Sequence, residues 1–402
     1  MTRLNQNSGL LSTGPRKRLG YPGAGQVQLS YAVHECKATM KPIAFAVPVF
    51  FLLILFELWV AHSRGVSVYR LKDSLTSINV GMMSEFSKAI GGLISLVMYT
   101  LISDRFGAFT WDVSNPMTWI SALLLYDFCY YWVHRTGHEI NIMWASHVVH
   151  HSSEEFNLST GLRQSSTGFL FRWIFYIPLA LLGYPIQVFV VVGLIDFLYQ
   201  FWVHTQLVGK LGWLEYVVVT PSNHRVHHGQ NDYCIDKNYG GVFSFWDRMF
   251  GTYADERDDE KPVYGIRKPI ESWNPLWANL QHYVQIWQQV KLAVNWRHRL
   301  MYIFAKPSWT PEKEDATEAF KAQHFSRFDT PASSGLLKFA FMGTILGSVL
   351  LMVYYYLQSR LPQPVRIGYC VVMILFIAGI GWRMTQARDQ GPTLSNAGNG
   401  HD

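Results

Sequence analysis

Seven apolar runs dominate the chain, and their lengths predict helices rather than strands. Residues 43–61 come close to the roughly 20 apolar residues that span a bilayer core. Residues 80–102 form a weaker run, because Glu85 and Lys88 shorten its clean core. A third covers residues 117–133. Residues 169–182 and 186–203 are separated only by Gly183, Tyr184 and Pro185, which predicts a helical hairpin that enters the membrane and returns. Residues 336–357 and 367–382 close the series, with Pro362 and Pro364 between them. One such run is compatible with a buried helix of a soluble protein; seven together argue for an integral membrane protein.

The polar positions divide the rest. Residues 204–334 carry most of the charge and many Trp and Tyr, and a stretch such as 253–261 cannot sit in lipid. This segment predicts a polar cap on one membrane face, with aromatic residues suited to an interfacial belt. The expected organisation is a flexible polar extension (1–40), a membrane and catalytic domain (41–335), a C-terminal transmembrane pair (336–384) and a polar tail (385–402). The expected fold is all-α: a transmembrane helix bundle with a helical, histidine-rich cap. Arg16, Lys17 and Arg18 are not followed by the apolar stretch of a secretory signal.

Composition narrows the class. Charged residues make up 15% of the chain against a usual share of about 25%, while hydrophobic residues reach 49%, which excludes a disordered chain. Cys36, Cys129, Cys234 and Cys370 lie far apart with no CxxC pair, which excludes a disulfide scaffold and a zinc ribbon. The net charge of +6 fits a surface beside anionic lipid and no nucleic-acid partner. A helix count that places the cap, Arg64, Arg70, Lys72, Arg383 and Arg388 on one side makes that side cytoplasmic. The same count puts Arg16–Arg18 outside, but those charges are far from a span. Unpaired cysteines also fit an active face in the cytosol.

Histidine carries the chemistry. Of 15 His, nine lie between His134 and His228. His134-Arg-Thr-Gly-His138 is an i, i+4 pair, and His147-Val-Val-His150-His151 and His224-Arg-Val-His227-His228 repeat one HxxHH spacing; His204 ends the hairpin. Positions three and four apart share a helix face, so each cluster can aim two or three imidazoles at one point. Neutral imidazole suits Fe, Zn or Cu. Nine ligands exceed one four-coordinate zinc and suffice for two ions with an open position. Asp127, His134 and His138 lie on one stripe, as do Asp196, Gln200 and His204. That places a carboxylate beneath a ligand on each of two helices, where its expected partner is the second ring N–H of a metal-bound His. His34, His62, His282, His298, His324 and His401 have no such company and read as surface residues; Glu57 reads as a snorkelling or locally paired acid. Peptidase motifs fail: HExxH would need Glu where Arg135 stands, and HxxEH would need it at Gly137. Glu139 instead follows the second His.

These three boxes, with apolar runs before and between them, resemble the fatty acid hydroxylase/sterol desaturase superfamily of integral-membrane non-haem di-iron enzymes. The resemblance covers about residues 80–255. It is most specific toward the alkylglycerol monooxygenases, through Tyr199-Gln-Phe-Trp-Val-His204-Thr-Gln, Thr220-Pro-Ser-Asn-His224-Arg-Val-His-His228-Gly, Asn231-Asp-Tyr-Cys-Ile-Asp-Lys-Asn-Tyr-Gly240 and Phe245-Trp-Asp-Arg-Met-Phe-Gly-Thr252. It implies that His134, His138, His147, His150, His151, His224, His227 and His228 are ligands of two Fe ions, with His204 a ninth. Gln200 occupies the position of a further His in related hydroxylases. Glu139 follows the first box as in that group, where it is functionally important. The implied reaction is O2-dependent hydroxylation of a lipid C–H bond; on an alkyl ether lipid it falls beside the ether oxygen and releases a fatty aldehyde. Implied electron sources are tetrahydrobiopterin, or a cytochrome b5 or ferredoxin-type donor. A sterol desaturase or an acyl or polar-lipid hydroxylase is the alternative within the superfamily, and a metal-binding or transport protein the alternative outside it. The implied location is the endoplasmic reticulum for a eukaryotic source or the inner membrane for a bacterial one.

Overall fold

The computed structural model describes residues 46–312, 320 and 325–386. The expected extension, nearly all of the polar tail, and His34, Cys36, His324 and His401 lie outside the described residues. Among the described residues there is no strand, only isolated bridges at Val218–Phe243 and Gly229–Tyr264.

Helix α1 (Ala46–Ser63) is followed by α2 (Leu71–Gly91) and α3 (Leu93–Phe106), bent by 47° at their junction. Helix α4 (Pro116–Glu139) starts at Asn115, whose side chain accepts from Met117 N–H, with Pro116 in the first turn, where a missing N–H costs little. It continues through both histidines of the first box. Short helices α5 (Asn141–Ala145), α6 (Val148–His151) and α7 (Leu158–Gly161) follow, and α6 with its N-cap His147 carries the second box. Then come α8 (Phe169–Arg172), a 3-10 turn, α9 (Ile177–Leu181) and α10 (Ile186–Trp202). Helix α11 (Pro221–His227) carries the third box. Helices α12 (Phe245–Met249), α13 (Pro275–Leu292) and α14 (Trp296–Phe304) build the cap, and α15 (Ser334–Leu357) and α16 (Gln363–Gln386) close the described chain.

Three helices are long and apolar enough to cross a membrane, α1, α15 and α16, and a fourth crossing results if the bent α2–α3 pair is one span. The seven predicted runs therefore overcount. The arm predicted over 169–182 is broken into α8, the 3-10 turn and α9, with Pro178 at the start of α9. It and α10 are apolar but shorter than a span. Helix α4 is long enough, but its aromatic and polar residues keep it out of that class.

Packing places the histidines between two apolar clusters. On one side Met82, Met83 and Phe86 of α2 meet Leu351, Tyr354, Cys370 and Ile377 of α15 and α16. On the other, Tyr99, Ala122, Cys129, Leu179, Val188 and Val192 join α3, α4, α9 and α10. Glu85 and Lys88, which weakened the second run, pair at 2.7 Å, and Tyr355 Oη donates to Glu85 at 2.6 Å, so neither charge is left alone. Glu57 is buried and does not snorkel: it accepts from Tyr69 and Thr205 hydroxyls and, at 2.8 Å, from Leu158 N–H. That ties α1 to the residue after His204. The outer faces of α1 and α15 leave Leu52, Leu55, Trp59, Met342 and Leu346 at least half exposed, as lipid-facing surfaces require.

Candidate metal centre

The nine histidines singled out by their spacing converge into two groups. His134, His138, His147, His151 and His227 form one; His150, His204, His224 and His228 form the other, and within each the candidate ligand nitrogens lie within 4.8 Å of one another. The box spacing explains the split. In each HxxHH the two adjacent histidines point about 100° apart, so His150 and His228 enter one group while His151 and His227 enter the other.

Ring orientation is set by backbone carbonyls. His134 Nδ1 bonds Tyr239 O at 2.8 Å, His150 Nδ1 bonds Arg163 O at 2.9 Å, His204 Nδ1 bonds Gln200 O at 2.8 Å and His227 Nδ1 bonds Lys237 O at 2.9 Å. A carbonyl only accepts, so in each ring the single proton of a neutral imidazole sits on Nδ1 and Nε2 presents a bare lone pair. Yet His150 Nε2 and His204 Nε2 face each other at 3.3 Å. Two lone pairs at that distance repel unless a cation lies between them. The His224–His204, His228–His150, His151–His147 and His227–His151 pairs meet through Nε2 at 3.0–3.1 Å. His134 Nε2 and His138 Nε2 are buried with no hydrogen-bond partner. Two nitrogens bound at about 2.1 Å and at right angles to one ion sit about 3.0 Å apart. The donor set therefore fits a transition metal in each group. Protonation is the other way to relieve the repulsion, and burial opposes it: it pushes the His150 ring down to about 4 and the His227 ring down to about 3.

The acids hold the scaffold rather than the rings. Asp127 accepts from Val242 N–H at 2.7 Å, Phe243 N–H at 3.1 Å and Trp246 Nε1–H at 2.9 Å, and touches no histidine. It lies seven residues before His134, about 10 Å lower along the axis, so a shared stripe does not bring it to the ring. Asp196 accepts from Gln200 Nε2 at 2.6 Å, and Tyr130 Oη donates to Gln200 Oε1 at 2.6 Å. The Gln200 side chain thus belongs to this network, and its main-chain carbonyl is what meets His204. The two carboxylates close on Gly241, where an added Cβ would stand 2.7 Å from Asp127 Oδ1 and from Asp196 Oδ1. Sequence reasoning missed Asp247, which accepts from Tyr239 N–H at 2.7 Å and Gly240 N–H at 2.8 Å. Together Asp127 and Asp247 fix the segment whose Tyr239 carbonyl orients His134. Its Tyr239 ring, fully buried, packs on His134, His138 and His227.

Glu139 turns to Arg135, which donates to it at 3.1 Å, and joins neither group. His282, expected at the surface, is half-buried and bonded to Asn141 at 2.7 Å. A narrow cleft reaches the first group between Tyr130, Val133, His134, Gly137, Met143, Ser146, His147, Phe171 and Arg172.

Comparisons with known proteins agree with this geometry. The fatty acid hydroxylase family profile matches residues 119–252, which contain all nine histidines. The chain is 41% identical over 346 residues to alkylglycerol monooxygenase of Homo sapiens, covering 85% of this chain and 77% of that protein. It is 45% identical over 274 residues to alkylglycerol monooxygenase of Danio rerio, covering 68% and 61%. A more distant relative, an ornithine lipid hydroxylase of Rhizobium tropici, is 31% identical over 147 residues, 36% of this chain and 44% of that protein. No solved structure gives a significant match. With both histidine groups inside the matched segment, the chain belongs to the alkylglycerol monooxygenase family, within the fatty acid hydroxylases.

Proposed function

We propose that this chain is a membrane-bound di-iron monooxygenase that hydroxylates the carbon beside the ether oxygen of an alkylglycerol lipid. The observation that carries the reading is the convergence of bare imidazole lone pairs into two adjacent buried groups. In this reading His134, His138, His147, His151 and His227 hold one iron and His150, His204, His224 and His228 the other. Bound iron supplies what side chains lack, reductive activation of O2 for insertion into an unactivated C–H bond. One oxygen atom enters the C–H bond and the other leaves as water, with two electrons and two protons from a reductant. The hydroxylated carbon is then a hemiacetal. Its hydroxyl proton passes to the departing glycerol oxygen as the C–O bond breaks, leaving a fatty aldehyde.

The protein's own part is orientation and exclusion of water. Carbonyls of Arg163, Gln200, Lys237 and Tyr239 hold four rings with their lone pairs inward. Trp144, Phe156 and Tyr239 wall the histidines with aromatic rings. The cleft offers an alkyl chain Val133, Met143 and Phe171 as apolar contacts on the way to His134 and His147. Glu139 enters as a catalytic acid–base residue at the half-exposed edge, ion-paired with Arg135. Asp127, Asp196 and Gln200 act through the backbone that positions the ligands. The electrons come from a reduced pterin, with a cytochrome b5 or ferredoxin-type donor as the alternative. The histidine face is proposed to be cytosolic, in the endoplasmic reticulum or a bacterial inner membrane.

The test is metal content together with O2-dependent turnover of an alkylglycerol by purified protein and a reduced pterin. Two irons per chain and fatty aldehyde are expected. Two irons without aldehyde would redirect the reading to a desaturase or another lipid hydroxylase, and absence of iron from purified, active protein would remove it.

A further inference from the structure

Arg172 ends α8 as a half-buried residue in the wall of the cleft that reaches His134 and His147. Among the described residues its guanidinium has no hydrogen bond and no ion pair. The acid whose field reaches it, Asp196, is already bonded to Gln200 and closed against Asp127. A guanidinium has five N–H donors and no acceptor, so in this wall it offers donors that no protein group takes. The hydroxyls in the wall are occupied: Tyr130 Oη donates to Gln200 at 2.6 Å and Ser146 Oγ donates to Met143 O at 2.7 Å.

A second observation concerns Gly168, one turn before Arg172. Gly168 has ordinary helical angles, φ −57° and ψ −27°, which any residue adopts. Its backbone therefore does not need glycine. A Cβ there would lie 2.9 Å from Arg172 Nε, 3.2 Å from Cζ and 3.3 Å from Nη2. The guanidinium lies against the space that a side chain at position 168 would fill, so alanine there would displace it.

We infer that Arg172, seated on Gly168, is a specificity-determining residue that binds the phosphate of an anionic ether lipid while its alkyl chain lies in the cleft. The inference rests on the proposed lipid monooxygenase reading for what enters the cleft. Phosphate is the acceptor that lipids carry next to glycerol, and its oxygens match the guanidinium fork two at a time, which a neutral glycerol does not. The same chemistry is present in bulk phospholipid of the surrounding leaflet, and the experiment separates the two sources.

The experiment compares wild type, Arg172→Gln, Arg172→Lys and Gly168→Ala as iron-loaded protein in nanodiscs. Two probes are used, an alkylglycerol and the same alkylglycerol carrying a phosphate. Retention of each lipid is read by native mass spectrometry and turnover by aldehyde release; iron content reports that the histidine core is intact. The expected result is a wild-type preference for the phosphate-bearing lipid that falls roughly tenfold or more in Arg172→Gln, the change that loss of a charged hydrogen bond carries. Gly168→Ala lowers it by displacing the guanidinium, and Arg172→Lys keeps part of it. An equal preference in wild type and Arg172→Gln overturns the inference. So does loss of bulk phospholipid from Arg172→Gln with the probe preference intact, which makes Arg172 a leaflet anchor. A retention preference that depends on Arg172, with no aldehyde from either lipid, supports the phosphate subsite and overturns ether cleavage instead.

Discussion

The two histidine groups are made from the same residue type by the same devices, yet one is sealed and the other opens. His150, His204, His224 and His228 are each no more than 7% exposed. Phe156 stacks on His204 with ring centres 5.6 Å apart, and Gly161 packs so closely that an added Cβ would stand 3.1 Å from His204 Nδ1. In the other group His138 and His147 are only half-buried, and His134 and His147 line the cleft. The five-histidine group therefore borders a cleft, and the four-histidine group does not line it. The difference is imposed by what packs around equivalent side chains.

The strongest way to break that comparison is to remove a ligand from each side. His204→Ala and His134→Ala are each expected to lower turnover at least about 100-fold, since losing partners that merely support a ligand already costs 10–100-fold. Iron analysis should show about one ion lost per chain in either variant. Full iron loading with normal turnover in His204→Ala would make the sealed group dispensable and the comparison empty.

Acid tests the sealed side next. Burial lowers the His150 ring from its ordinary value near 6.5 to about 4, with the Arg163 carbonyl opposing the shift. The native state then binds fewer protons than the unfolded chain between those values. In metal-free protein, stability is full above about pH 6.5 and falls as the pH drops toward 4, by about 3 kcal/mol for this one ring. Melting curves of metal-free protein across that range check it. A midpoint that holds steady down to pH 4 would mean these rings are not buried neutral.

Much of this centre was legible in the spacing of the histidines, because ligand geometry constrains residue type at fixed helical intervals. All nine appear in the two groups. What the spacing could not reveal was the partner of the second ring nitrogen in His134, His150, His204 and His227. Those partners are backbone carbonyls of Arg163, Gln200, Lys237 and Tyr239, which any residue carries and no motif marks. A helical stripe reports direction around the axis but not reach along it, and so Asp127 and Asp196 were expected under imidazoles and instead close on Gly241. The Gly240–Gly241 doublet was the available signal of a close approach. The membrane topology was overread for a related reason: an apolar run announces burial without saying whether lipid or protein covers it, and α8–α10 are short elements packed on α3 and α4.

The supporting layer should show intermediate effects that differ between the sides. Asp127→Asn replaces a carboxylate accepting three N–H groups by an amide whose own N–H2 must face one of them. A loss of about 1–3 kcal/mol in stability is expected, with weaker iron retention at the open group through the Tyr239 segment. Gly241→Ala should act in the same direction, and Gly161→Ala should instead weaken retention at the sealed group by pressing on His204. Spectroscopic titration of iron into each variant tells them apart. Identical losses at both groups would mean that the two sides do not have separate supports.

The smallest expected change in stability is also the most informative about the open side. The Arg135–Glu139 pair is partly exposed, with side-chain exposures of 24% and 31%, and is spaced i, i+4 on the last turns of α4. Such pairs are worth about 0.3–0.5 kcal/mol, so Glu139→Gln should leave the melting temperature and the iron content nearly unchanged. Turnover should nevertheless fall at least about tenfold if the carboxylate moves a proton at the accessible group. Because neither iron nor stability moves, such a fall cannot come from a damaged centre. Normal turnover would return Glu139 to a surface ion pair and leave the open group's reactivity to the histidines and the cleft.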